Sequence, residues 1–165
     1  AARLASVLML AGCAFAVWSL GQRFVSGGPG AGPFPSPNTL AAWLAARYRR
    51  GATTLHHGDC VGGDEVGARL AGEIGYTTVA HPPDDPRLRA FHPSTVVRRP
   101  RPYLPRNTDI VSDVEEMMAL PKRMNGQGGT WWTIRHARTH GCPLLIVAPD
   151  GAITESAFQR AGGRP

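Results

Sequence analysis

Short apolar runs alternate with stretches of helical periodicity along most of this chain, and glycine clusters stand at the junctions between them. Strands separated by helix-length segments must be joined by crossovers, and crossovers build a parallel sheet covered on both faces. The strongest strand signal is residues 144–148, an uninterrupted apolar run bounded by proline and glycine, which fits a strand buried on both faces. Further strands are predicted at residues 23–26, 53–57, 76–80 and 115–120. Ser36 offers an N-cap with Pro37 at the first helical position, and Leu40, Trp43, Leu44 and Tyr48 follow at helical spacing. A second helix carries Val66, Leu70 and Ile74 on one face and stops at Gly75. Two more are predicted over residues 104–111 and 130–140. Together these predict an α/β fold: a Rossmann-like, three-layer domain with a mostly parallel sheet of about five strands.

Length allows one domain with a substantial core, since the chain has 165 residues. Residues 22–151 are read as that domain and residues 152–165 as a peripheral tail. The polar stretch of residues 84–102, rich in proline and arginine, reads as a long surface loop. Residues 1–21 are expected to lie outside the domain. Residues 4–20 are almost continuously apolar, a length at the border between a signal-peptide core and a minimal membrane span. Within them Leu10-Ala11-Gly12-Cys13 resembles a lipoprotein cleavage box. An extra helix, an extension foreign to the domain, and an export or membrane signal all fit this segment. The first two go with a cytoplasmic protein, the third with an exported or membrane-associated one. Cys13, Cys60 and Cys142 form no CxxC pair, so neither a zinc ribbon nor a disulfide framework is indicated.

A formal net charge of +6 suits a phosphate-bearing ligand or nucleic acid, although charge bears on association rather than on fold. The chemistry is expected in the glycine loops. Gly128, Gly129 and Thr130 open a helix after a strand and a loop, where free backbone N–H groups point at an anion and glycine lets it approach. Arg135, further along that helix, is placed to fold back toward the loop. Gly58, Asp59, Gly62, Gly63 and Asp64 form a second strand-to-helix loop, with carboxylates able to accept from sugar hydroxyls; alternatively Asp64 only caps the next helix. This loop is neither a GxGxxG fingerprint nor a Walker loop. Gly27 and Gly28 form a third turn, and Arg106 beside Asn107 offers a bidentate donor next to an amide. His56 and His57 with Cys60 do not read as a metal set, because neighbouring strand residues face opposite ways. No metal or cofactor is expected.

In order along the chain, Leu55 to Asp64, His81-Pro82-Pro83, Pro102 to Asn107 and Gly128 to Arg135 resemble the SLOG superfamily. These are small phage and bacterial proteins related to the lonely-guy nucleotide hydrolases and to the core of DNA-processing protein A. The resemblance spans residues 23–151. It implies a Rossmann-like fold whose glycine loops hold a nucleotide or a nucleotide-derived ligand. Against the lonely-guy motif PGGxGTxxE, Gly128, Gly129 and Thr130 correspond to the end of the glycine–threonine part. The motif's carboxylate then falls on Thr133, which cannot serve as a general acid or base in the same way. Arg106 corresponds to an arginine that braces phosphate or substrate. At the first turn, Ser26-Gly27-Gly28-Pro29 lacks the arginine that relatives carry, and Gly63 stands where alanine is common.

Three functions follow as expectations. The leading one is a sensor or binder of a nucleotide-derived ligand, because the loops lack an obvious base. A second is a nucleotide N-glycosidase, with Asp59, Asp64 or Glu65 supplying the carboxylate. The third is single-stranded nucleic-acid binding, with Trp131 and Trp132 as stacking surfaces. A homodimer is compatible with all three, and a membrane partner is not expected.

Overall fold

A computed structural model describes residues 5–11 and 37–156. Its elements run β1 (Ala5–Ala11), α1 (Pro37–Tyr48), β2 (Ala52–His57), α2 (Gly63–Ile74), β3 (Thr77–Ala80), β4 (Val96–Val97), α3 (Tyr103–Asp113), β5 (Glu116–Leu120), α4 (Gly129–Thr139), β6 (Leu144–Val147) and β7 (Ile153–Ser156). One sheet holds all seven strands in the order β4-β3-β2-β1-β5-β6-β7. All neighbours are parallel except β6 and β7. The expected α/β class and mostly parallel sheet are therefore present.

Alternation along the strands divides the core into two layers. Met118, Leu120 and Val147 join Leu40, Leu44, Leu55 and Leu70 beneath α1 and α2. Met117, Ala119, Leu144 and Ile146 join Ile110, Val111, Ile134 and Ala137 beneath α3 and α4. Strands β5 and β6 thus present apolar side chains to both faces, as a central parallel strand must. On the first face the Tyr76 hydroxyl donates to the Leu44 carbonyl at 2.8 Å. The half-buried Arg47–Glu116 pair, 2.6 Å apart, fastens α1 to β5. Helix α2 ends as its sequence dictates: Gly75 adopts the left-handed conformation (φ 112°) and its N–H returns to the Ala71 carbonyl.

The apolar N-terminal segment is the main correction. Ala5–Ala11 is neither helix nor appendage; it is a strand paired with β2 on one side and β5 on the other. A run of apolar residues supports either a buried helix or a buried strand, and periodicity alone does not separate them. The strand expected at residues 23–26 and the Ser36 cap lie outside the described residues. Both edges of the sheet also exceed expectation. The supposed surface loop contributes a 3-10 turn (Pro86–Leu88) and then β4, which pairs with β3. The supposed peripheral tail contributes β7, antiparallel to β6. Cys60 is disulfide-bonded, against the expectation from cysteine spacing. Among the described residues no helix is long and apolar enough to cross a membrane.

The central layer gives a direct stability test. Leu55 is wholly buried between β2 and the α1–α2 layer. Leu55→Ala is expected to lower the unfolding free energy by about 2–5 kcal/mol, read from the urea midpoint at unchanged slope.

Candidate functional site

Strand order reverses at β1, because the chain fills the sheet toward β4 on one side and toward β7 on the other. In open parallel sheets the crevice for a ligand lies at such a reversal, outside the carboxyl ends of the strands. Of the described loops that leave that end, two follow the strands flanking β1: residues 58–62 after β2, and residues 121–128 after β5. Helix α3 brings Tyr103, Arg106 and Asn107 between them.

Arg106 ties the loops together. It is 2% exposed, and its Nη1 donates to the Gly58 carbonyl at 3.0 Å. A Cβ at Gly58 would overlap the Arg106 guanidinium and sit 2.6 Å from Asp64 Oδ2, so only glycine fits. The guanidinium also lies over the Tyr103 ring, 4.9 Å from its centre. Tyr103 in turn covers Gly129, where a Cβ would collide with the phenol. A continuous series of contacts therefore runs from Gly58 through Arg106 and Tyr103 to Gly129. Burial lowers the Arg106 pKa, while Asp64, Tyr103 and Asp59 act to raise it.

The acidic candidates are built into the first loop. Asp64, fully buried, accepts from the Cys60 N–H at 3.2 Å. Helix α2 is capped at Gly62 (φ 107°) without a side-chain hydrogen bond, so Asp64 braces the loop and does not cap the helix. Gly63 begins α2 and is buried. Asp59 adopts a left-handed backbone (φ 54°), which aspartate tolerates better than most residues. Its Oδ2 receives the Arg89 Nε at 2.6 Å, and its carbonyl receives the Ala90 N–H at 2.8 Å. Glu65 stands exposed in the first turn of α2.

At the second loop Gly128 (φ 91°) stands as the N-cap of α4, with no side-chain cap. The N–H groups of its first turn are directed out of the helix, and Thr130 in that turn is buried. Arg135 does fold back: its Nη1 donates to the Gly126 carbonyl at 2.8 Å. Trp131 does the same to the Arg123 carbonyl, also at 2.8 Å. Thr133 is fully buried; it donates to the Gly129 carbonyl and accepts from Asn107 Nδ2 at 2.7 Å. Among the described residues, Asp59 Oδ1 and Asn107 Oδ1 are buried acceptors without a hydrogen-bond partner. Gly27 and Gly28 lie outside the described residues.

Trp131 packs against the α3–α4 core, and Trp132 lies flat on His136 with ring centres 5.0 Å apart.

The histidines pointed to less than they deliver. By alternation from Leu55, His57 faces the α1–α2 layer and His56 faces α3. His57 is wholly buried, meets Ser94 Oγ at 2.9 Å and accepts the Asp59 N–H. His56 Nδ1 meets His81 Nε2 at 2.9 Å and lies 3.9 Å from Asp113 Oδ2. Burial pushes His57 and His81 down to about 3, and lowers His56 against the pull of Asp113. Tyr103, Arg89, His81 and Asp113 had no separate signal for these contacts; each meets its partner only across elements.

No protein-family model matches this chain, and no curated protein matches it. Solved structures share its fold, among them two molybdenum cofactor proteins. One is the molybdenum cofactor binding protein of the phototrophic bacterium Rippkaea orientalis, with a TM-score of 0.54 and 15% identity over 86% of this chain and 74% of that one. The other is the molybdenum cofactor carrier protein of Chlamydomonas reinhardtii, with a TM-score of 0.50 and 15% identity over 88% and 77%. At such identity the likeness is one of fold.

Two outcomes are expected here. Gly58→Ala should cost about 1–3 kcal/mol of stability through overpacking against Arg106, read from urea unfolding. His57 titrates near 6.5 unfolded and about 3 folded. The unfolded chain therefore binds the extra proton between those values, and stability falls as pH drops through that window. His57→Asn, which keeps an acceptor for the Asp59 N–H, should flatten that fall in urea midpoints measured between pH 7 and 4.5.

Proposed function

We propose that this chain binds a small, phosphate-bearing ligand of the nucleotide or nucleotide-derived class, as a carrier or sensor rather than as a hydrolase. The observation that carries this reading is the contact series Gly58–Arg106–Tyr103–Gly129. It holds the uncapped start of α4 beside a buried guanidinium at the reversal point of a parallel sheet. A helix N-terminus favours an anion through its outward N–H groups and its dipole. The phosphate is assigned to the Gly128–Thr130 turn, with the Thr130 hydroxyl as a further donor. Arg106 supplies positive potential from behind Gly58. The buried acceptors Asp59 Oδ1 and Asn107 Oδ1 are available for the hydroxyl or amino groups of the rest of the ligand. Both fold neighbours are named for binding or carrying a small-molecule cofactor, which agrees with such a role.

The glycosidase reading is weaker. Asp59 is paired with Arg89, Asp64 is engaged in its own loop, and Thr133 replaces the carboxylate. Glu65 alone among the three candidates stands exposed, on the outer turn of α2. Binding of single strands is disfavoured by the packing of Trp131 and Trp132.

Thermal shift of the full chain against nucleoside mono- and diphosphates, ADP-ribose and molybdenum cofactor decides the matter, with base release followed in the same samples. A ligand at about 100 times its Kd stabilises by about 2.7 kcal/mol, a rise of several degrees. That rise is expected in the parent, reduced in Thr130→Val, and unaccompanied by base release. Base release abolished by Glu65→Gln would establish the hydrolase instead. A flat response to every anionic ligand removes the phosphate site.

A further inference from the structure

Outside the glycine loops, among the described residues, His56, His81 and Asp113 converge, one donor atom of each within 4.8 Å of the others; His56 Nδ1 meets His81 Nε2 and faces Asp113 Oδ2. They come from three elements. In the β2–β3 register His56 lies opposite Val79, so His81, two residues beyond Val79, falls on the same face. That face is the one α3 covers, and Asp113 is the last residue of α3. Both rings are buried, while Asp113 is partly open to solvent, its side chain 38% exposed.

We propose that His56, His81 and Asp113 form a binding site for one divalent transition-metal ion of the zinc class. Two imidazoles and a carboxylate make a mixed nitrogen–oxygen set. Such a set suits zinc, copper, nickel or iron, whereas magnesium and calcium require oxygen ligands. The spacing agrees. Metal–ligand bonds of about 2.0–2.1 Å at tetrahedral angles place donor atoms about 3.4 Å apart. Here the two nitrogens stand 2.9 Å apart and the carboxylate oxygen 3.9 Å from His56 Nδ1. The two nitrogens face each other, with ring centres 5.2 Å apart, so each ring turns to aim its lone pair at a common ion.

The short nitrogen–nitrogen contact is a hydrogen bond, so one ring carries a proton on the contacting nitrogen. Metal binding requires a lone pair on both. The donor ring meets this by carrying its proton on its other nitrogen, and both imidazoles remain neutral. With one carboxylate, the occupied site keeps a net charge of +1. Three protein ligands leave a fourth position for water or an anion, on the side where Asp113 meets solvent.

Arg98 opposes the ion. Its Nη2 lies 3.4 Å from the same Asp113 oxygen. This pair is solvent-exposed on both sides, and such pairs are weak enough to be displaced. The arginine's charge nevertheless lowers affinity for a cation.

The probe is Zn2+ itself, titrated into the full chain against a chromophoric zinc indicator, with Co2+ absorption in the visible as a reading of coordination. A second chelate must first be removed. His136 near the end of α4 and His140 at its C-cap stand one turn apart with ring centres 4.0 Å apart, so the titrations are done in a His140→Ala background. One ion per chain is expected, with the absorption of a four-coordinate cobalt site. Asp113→Asn and His81→Gln should each weaken binding by about tenfold or more. Arg98→Ala should strengthen it several-fold, which a purely structural role for the histidine pair does not predict. Asp113 is partly exposed, so Asp113→Asn carries the test if melting without metal shows His81→Gln to be unfolded. The proposal is overturned if the His140→Ala chain takes up no zinc, or if Asp113→Asn binds it as tightly as its parent.

Discussion

The buried guanidinium of Arg106 is the interaction on which the arrangement of this end of the molecule depends. A cation removed from water is costly, and it persists only where hydrogen bonds and opposite charge offset the loss. Here the Gly58 carbonyl accepts from it, the Tyr103 ring lies beneath it, and Asp64 and Asp59 supply negative potential. Each condition is restrictive. Gly58 must lack a side chain, α3 must approach close enough to insert its first turn between two loops, and Asp64 must turn back from α2 into the loop. The glycine loops are thus partly fixed by the packing of one arginine and are not simply flexible connections.

The same principle orders the histidines. His57 is buried as a neutral ring whose two nitrogens serve the Asp59 N–H and the Ser94 hydroxyl. Its role is to shape the loop that leaves β2, where Asp59 must hold an uncommon backbone conformation. His56, one residue earlier, faces the other layer and meets His81 and Asp113. One strand end therefore feeds two different polar clusters on opposite faces of the sheet, one for each parity of the pleat.

How much of this was legible differs between the elements. The helices at Pro37 and after Gly63, the Gly75 stop, and strands β2, β3, β5 and β6 follow from periodicity and punctuation, because local sterics and amphipathicity act over a few residues. The N-terminal strand was not legible. Its apolar run carries no alternation, and a parallel strand with helices over both faces of the sheet needs none. The edge strands were missed for the opposite reason. Strand β4 is two exposed valines in a polar segment, and β7 follows a turn; both are strands only because a neighbour offers backbone partners.

In the candidate site, the positions of the glycines at 58, 128 and 129 between strand and helix, and of Arg106-Asn107 on a helix, are legible, since both are local signals. Their roles are less so. Arg106 builds the first loop, Asp64 braces Cys60, and Arg135 and Trp131 donate to the loop before α4. The amino-acid sequence by itself determined an α/β chain with glycine loops between strands and helices, because hydrophobic periodicity and backbone freedom are properties of neighbouring residues. Only the tertiary structure decided that β1 lies at the centre, that Arg106 and Tyr103 join two loops, and that His56, His81 and Asp113 meet. Those are contacts between residues far apart in the chain, and strand order and register, not local preference, bring them together.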